Sequence, residues 1–125
     1  MSDSIRLSSV ALDCPNAGEL AAFYAEITGG KITFVGESWA TVKGPNGRMD
    51  FQTATGYRPP TWPDPHSSMQ MHLDFLVEDL RAAGARVLAA GATRYELQPN
   101  PDHCCVYADP AGHPFCLTTW DEVPT

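Results

Sequence analysis

The chain has 125 residues and a mass of 13.6 kDa, enough for one compact domain or two small halves sharing a core, and too short for two independent domains. Hydrophobic residues make up 43% and charged residues 18%, an ordinary globular balance that argues against disorder outside the ends and one proline-rich stretch. Eight Lys and Arg against fifteen Asp and Glu leave a net charge of −7, which argues against nucleic acid and against an anionic membrane, since both need a basic footprint.

Residues 6–13 set Leu7, Val10 and Leu12 among small or polar neighbours, the pattern of a half-buried strand. Pro15 and Asn16 break the extended run, and Asn16 with Glu19 makes a capping-box-like helix start. Leu20, Phe23, Tyr24 and Ile27 then recur at i, i+3, i+4 and i+7, one apolar stripe that Gly29-Gly30 closes. Three short strands are predicted next, over residues 31–35, 39–43 and 48–53, with Gly44-Pro45-Asn46-Gly47 as the turn between the last two. Residues 54–68 hold Gly56, Pro59, Pro60, Pro63 and Pro65 and exclude both helix and central strand. Tyr57 and Trp62 suggest that this linker packs on the body.

The second half repeats the order. Met69 to Val77 alternates as a strand, and helical periodicity runs from about Asp79 to Ala90, with Leu80, Ala83, Val87 and Leu88 as its stripe and Gly91 at its end. Gly84 inside that helix marks close packing. Residues 93–98, 103–108 and 113–119 are strand candidates, with Asp109-Pro110-Ala111-Gly112 as the turn before the last. Each half therefore reads β-α-β-β-β. Ser9-Val10-Ala11-Leu12 aligns with His72-Leu73-Asp74-Phe75, and the two turns align likewise, so an internal repeat is the dominant fold signal.

No apolar run is long enough to span a bilayer, and Met1-Ser2-Asp3-Ser4-Ile5-Arg6 shows no signal-peptide pattern. Cys14, Cys104, Cys105 and Cys116 show no C-x-x-C spacing, so they read as reduced thiols of a cytoplasmic protein.

The run His72-Leu73-Asp74-Phe75-Leu76-Val77-Glu78-Asp79-Leu80 and the ending Asp109-Pro110-Ala111-Gly112-His113-Pro114-Phe115-Cys116-Leu117 resemble the vicinal oxygen chelate superfamily, which includes glyoxalase I, bleomycin-resistance proteins and extradiol dioxygenases. Gly56-Tyr57-Arg58-Pro59-Pro60-Thr61-Trp62-Pro63 adds likeness to a glyoxalase-like subfamily, and the resemblance covers roughly residues 5–120. It implies an α+β fold of two βαβββ modules, forming curled mixed sheets around a shared cavity with the helices outside. The whole chain, 1–125, is then a single glyoxalase-like domain, with module one at about 5–53, the linker at 54–68 and module two at about 69–120.

Within that arrangement, strand alternation turns Ser9 and Ala11, His72 and Asp74, and Cys116 and Thr118 toward the cavity. Along 48–53 it leaves Asp50 and Gln52 for the cavity, whereas a strict repeat alignment sets Phe51 opposite Cys116, and the sequence leaves both registers open. Metal-dependent members of the superfamily carry His or Glu at four strand positions, here Ser9, Gln52, His72 and Cys116. Only His72 is a strong ligand as it stands, and Asp74 lies roughly 7 Å further along the strand. No metal and no cofactor is expected. His103 and His113 read as turn or surface residues, and Cys104 and Cys105 as pointing to opposite faces of one strand.

These features lead to a metal-independent small-molecule binding protein of the glyoxalase/bleomycin-resistance type, sequestering an aromatic antibiotic or metabolite. Trp39, Gln52, Trp62, His72, Asp74 and Cys116 are its candidate ligand-binding residues. The resemblance further implies a homodimer. The alternative is an enzyme of the same superfamily, a lyase, isomerase or dioxygenase with an atypical site centred on His72 and Asp74 as its electrostatic partner.

Overall fold

The computed structural model describes residues 4–45 and 47–120. Asn46 of the predicted first-half turn, residues 1–3 at the start of the Met1–Arg6 segment and residues 121–125 lie outside the described residues. The chain forms two compact units, one ending at Tyr57 and the other starting at Arg58. Among the described residues no helix is long and apolar enough to cross a membrane.

The first unit runs β1 (Val10–Cys14), α1 (Ala17–Thr28), β2 (Lys31–Val35), β3 (Trp39–Gly44) and β4 (Gly47–Thr53). Its sheet has the order β1-β4-β3-β2, with β1 parallel to β4 and the other pairs antiparallel. Asn16 is extended and its side chain accepts the Glu19 N–H at 3.0 Å, while Thr53 Oγ1 accepts the Ala17 N–H at 2.9 Å, so the helix start is tied to the end of β4. At the other end Gly29 takes φ 74°, a left-handed cap that glycine adopts without steric cost. The apolar stripe of α1 lies on the sheet through Tyr24, which stacks on Phe51 at 5.5 Å, with Phe23 edge-on to Tyr24 at 4.9 Å.

The second unit repeats the plan with β5 (Leu73–Leu76), α2 (Leu80–Ala90), β6 (Thr93–Arg94), β7 (Cys104–Ala108) and β8 (Pro114–Thr118), in the order β5-β8-β7-β6. Asp79 caps α2 by accepting the N–H groups of Arg81 and Ala82. The core again turns on an aromatic of the last strand: Phe115 meets Phe75 edge-on at 5.9 Å and Tyr107 in a stack at 5.8 Å. The βαβββ reading of both halves therefore holds.

Strand lengths differ from the sequence expectation. β1 begins at Val10 rather than residue 6, and β5 covers 73–76 rather than 69–77. β5 is an edge strand whose ladder on β8 starts at Leu73 opposite Phe115; one step earlier the partner is Pro114, which has no N–H to donate. The predicted strand 93–98 stops at Arg94. Beyond it the Gln98 side chain takes over the pairing, donating to the carbonyls of Tyr95 and Val106 and accepting the Val106 N–H at 2.8 Å.

The linker packs on the second unit, as its composition suggested. Trp62 sits edge-on to Tyr95 at 4.9 Å, and Pro59 lies so close to Gly112 (φ 92°) that a side chain there would clash.

Candidate functional site

In the second unit, alternation divides the strands cleanly. Leu73, Phe75, Phe115 and Leu117 fall on the side that carries the aromatic core, while Asp74, Cys116 and Thr118 fall on the other. Asp74 and Cys116 are direct register partners, and His72, just before β5, returns to Asp74 with Nε2 3.1 Å from Oδ1. The spacing along the strand that seemed to separate His72 from Asp74 is closed by their side chains. The donor atoms of His72, Asp74 and Cys116 all lie within 4.8 Å of one another. Cys116 is buried, and burial pushes its thiol up to about 12, helped by the negative charge and hydrogen bond of Asp74 and then by Cys104 and Cys105. Cys104 shares this face, its thiol 3.3 Å from Thr118 Oγ1, whereas Cys105 lies on the α2 side beside Tyr107 and Gly84. Just past β6 the Tyr95 N–H donates to the Val106 carbonyl at 3.3 Å, and Trp62 packs edge-on against the Tyr95 ring.

His103 and His113 take turn positions. His113 Nδ1 is 2.9 Å from Asp109 Oδ2, and Asp109 Oδ1 accepts the N–H groups of Ala111 and His113, so this carboxylate organises the turn into β8. His103 stacks on Trp120 at 4.6 Å.

In the first unit the open register is settled. Phe51 faces α1 and stacks on Tyr24, so Asp50 and Gln52 take the opposite face. Trp39 pairs with Gln52 across β3 and β4, which brings those two candidate residues together on that face. Asp50, not Gln52, matches Cys116: Asp50 pairs with Ala11 as Cys116 pairs with Asp74.

Sequence reasoning put Asp50 on this face but missed its surroundings. Asp50 is only 3% exposed. It accepts the hydroxyls of Ser9 and Thr41, each at 2.6 Å, and Arg48 donates through Nε at 3.2 Å and bridges with Nη2 at 3.1 Å. Burial works against its charge, but the hydrogen bonds of Ser9 and Thr41 and the Arg48 guanidinium outweigh it and hold the carboxyl below its ordinary value. A lone Asp between Met49 and Phe51 was the available signal, because an acid in a half-buried strand needs partners.

These donors do not fit the octahedral, oxygen-rich metal of the superfamily. Ser9 and Asp50 are bonded to each other and to Arg48, so a guanidinium already balances the only carboxylate at the first unit's matching positions. His72, Asp74 and Cys116 are the described residues that could hold an ion in the second unit, and the thiol among them suits a tetrahedral zinc-type ion instead.

Comparison with known proteins gives one family and many solved structures of one fold. A model described as a glyoxalase-like domain matches residues 9–118. A search of curated proteins returned no match. Among solved structures, a glyoxalase/bleomycin resistance protein from Albidiferax ferrireducens is 21% identical, with a TM-score of 0.63 over 90% of this chain and 96% of that one. A fosfomycin resistance protein from Mesorhizobium loti is 13% identical, with a TM-score of 0.70 over 96% and 94%. A glyoxalase/bleomycin resistance protein/dioxygenase family enzyme from Burkholderia phytofirmans is 18% identical, with a TM-score of 0.70 over 90% and 97%.

Proposed function

We propose a binding function from this premise: the chain belongs to the glyoxalase-like domain family. It acts as a metal-independent, cytoplasmic small-molecule binding protein that sequesters a flat aromatic antibiotic or metabolite and works as a homodimer. The observation that carries this reading is the Asp50 network. Metal-dependent chemistry in this superfamily draws donors from both modules, and here the first module's carboxylate is consumed by Ser9, Thr41 and Arg48. What remains suits recognition by contact. Trp39 beside Gln52 offers aromatic surface in the first unit; in the second, Trp62 on Tyr95 does so, and His72, Asp74 and Cys116 offer polar groups to orient a ligand.

Titration with a panel of polycyclic aromatic antibiotics, read by tryptophan fluorescence, tests the proposal. Saturable quenching is expected, with Trp39→Phe and Trp62→Phe each removing part of it and His72→Ala weakening affinity about fivefold. The recovered ligand should be chemically unchanged by mass spectrometry. A panel that leaves the fluorescence untouched refutes aromatic sequestration. Sedimentation at micromolar concentration should give a dimer mass.

One observation favours the enzyme reading, namely the carboxylate of Asp74 buttressing His72, an arrangement that orients an imidazole as a base. Turnover of any panel compound that is lost in both His72→Ala and Asp74→Asn would replace sequestration with catalysis. Stoichiometric zinc in the purified protein, lost in His72→Ala, would end metal independence.

A further inference from the structure

The second unit also carries a concave surface away from the proposed ligand face. On the α2 side, between the helix and the β6–β7 edge, lies a cleft of about 430 Å³, inside the range of small-molecule sites. Leu80 and Leu88 of α2 give it an apolar wall, and Leu88 is 45% exposed. Arg81 and Arg94 also line it, and among the described residues no carboxylate does. The chain holds only eight Lys and Arg against fifteen Asp and Glu, yet two guanidiniums border this cleft. Among the described residues neither Arg81 nor Arg94 shares in the ion pairs of Arg48, His72 and His113.

The sheet side of the cleft is built with care. Gly84 sits in the interior of α2, where glycine costs about 1 kcal/mol relative to alanine. Its missing side chain leaves the space taken by the Tyr107 hydroxyl, and a Cβ there would collide with that oxygen. Tyr107 is the register partner of Arg94, and the nearby guanidinium works against the rise that burial imposes on the phenol. The phenol and the Arg94 guanidinium therefore stand side by side where strand and helix meet in the cleft.

We propose that this cleft binds a small amphipathic organic anion, an aromatic or aliphatic carboxylate whose apolar body rests on Leu80 and Leu88 and whose charge is taken by Arg81 and Arg94. A guanidinium matches a carboxylate in shape as well as charge, and two of them beside an apolar wall select against neutral analogues. The site lies on the opposite side of the sheet from His72, Asp74 and Cys116, so it stands or falls independently of the aromatic sequestration proposed above.

Amide NMR of the full chain titrated with 2-naphthoate, and separately with neutral 2-naphthamide, tests it. Naphthoate should give saturable shifts concentrated in residues 80–88 and 105–107, and naphthamide should bind about tenfold more weakly or not at all. Arg81→Gln and Arg94→Gln should each weaken naphthoate about tenfold and leave the remainder of the spectrum in place, which separates lost binding from lost folding. The proposal is overturned by an absence of saturable shifts at millimolar naphthoate. Equal binding of the amide, indifference to both substitutions, or shifts centred on residues 72–76 would overturn it equally.

Discussion

Asp50 and Cys116 hold matching places, each on the last strand of its sheet and beside the first, yet one is an ionised carboxylate ringed by donors and the other a thiol kept protonated. The frame around them is the same in both units: a capped helix, three antiparallel strands, one parallel strand and an aromatic from the last strand in the core. A duplicated frame thus fixes positions and leaves chemistry free. The first unit has filled its polar face with a closed network. The second presents an imidazole, a carboxylate and a thiol whose donors converge within 4.8 Å.

The comparison breaks most visibly if the two cores are not equivalent. Phe51→Ala and Phe115→Ala should each cost about 3–5 kcal/mol in denaturant unfolding, since both remove a fully buried ring from an aromatic cluster. A much smaller cost for one would show that its unit relies on other contacts. Next, Asp50→Ala should cost about 2 kcal/mol, because it strands two hydroxyls and a guanidinium. That figure is held down by the partial exposure of Arg48, which water screens. Cys116→Ala should cost less than about 1.5 kcal/mol, a lost sulfur contact in a small site.

The pH dependence sharpens the contrast, with opposite signs for the two residues. Asp50 has a lowered folded pKa, so its contribution is present above the ordinary carboxylate value of 3.8 and fades as pH falls through the folded value. Cys116 has a raised folded pKa, so its contribution is present below the ordinary thiol value of 9.0 and fades as pH rises toward about 12. Wild type minus Asp50→Asn should therefore shrink in acid, and wild type minus Cys116→Ala should shrink in alkali. At neutral pH Cys116 should also react slowly with thiol reagents, since the thiolate is the nucleophile.

Smaller effects close the series. Gln98→Ala should cost about 1–1.5 kcal/mol through the lost bonds to Val106. Asn16→Ala and Asp79→Ala should each cost about 1 kcal/mol as lost helix caps, and similar values would confirm that the two helices are anchored alike.

Much of this was legible because it is local. The stripes of α1 and α2, their caps at Asn16 and Asp79 and the glycines at 29 and 91 each depend on a few adjacent residues. Strand alternation likewise placed His72, Asp74 and Cys116 on one face. What escaped needed long-range information. That Ser9 and Thr41 meet on Asp50 follows from the register of three strands, and nothing in any one of them fixes it. The length of β6 was overestimated because residues 93–98 have strand-like composition, while a single side chain does the work of the missing ladder. The cleft along α2 was invisible for a similar reason, since it depends on how the helix sits against β7.

That substitution at Gln98 has a consequence for the behaviour of the protein in crowded solution. An exposed sheet edge is a template on which another chain can add a strand. At this edge the template is two residues long, and the next backbone groups in line, the N–H and carbonyl of Val106, are already held by the Gln98 carboxamide. Pro99 and Pro101 follow immediately and could not extend a ladder. The second sheet thus carries a stopper on its β6 edge, and a foreign strand would have to displace it before it could begin to grow there.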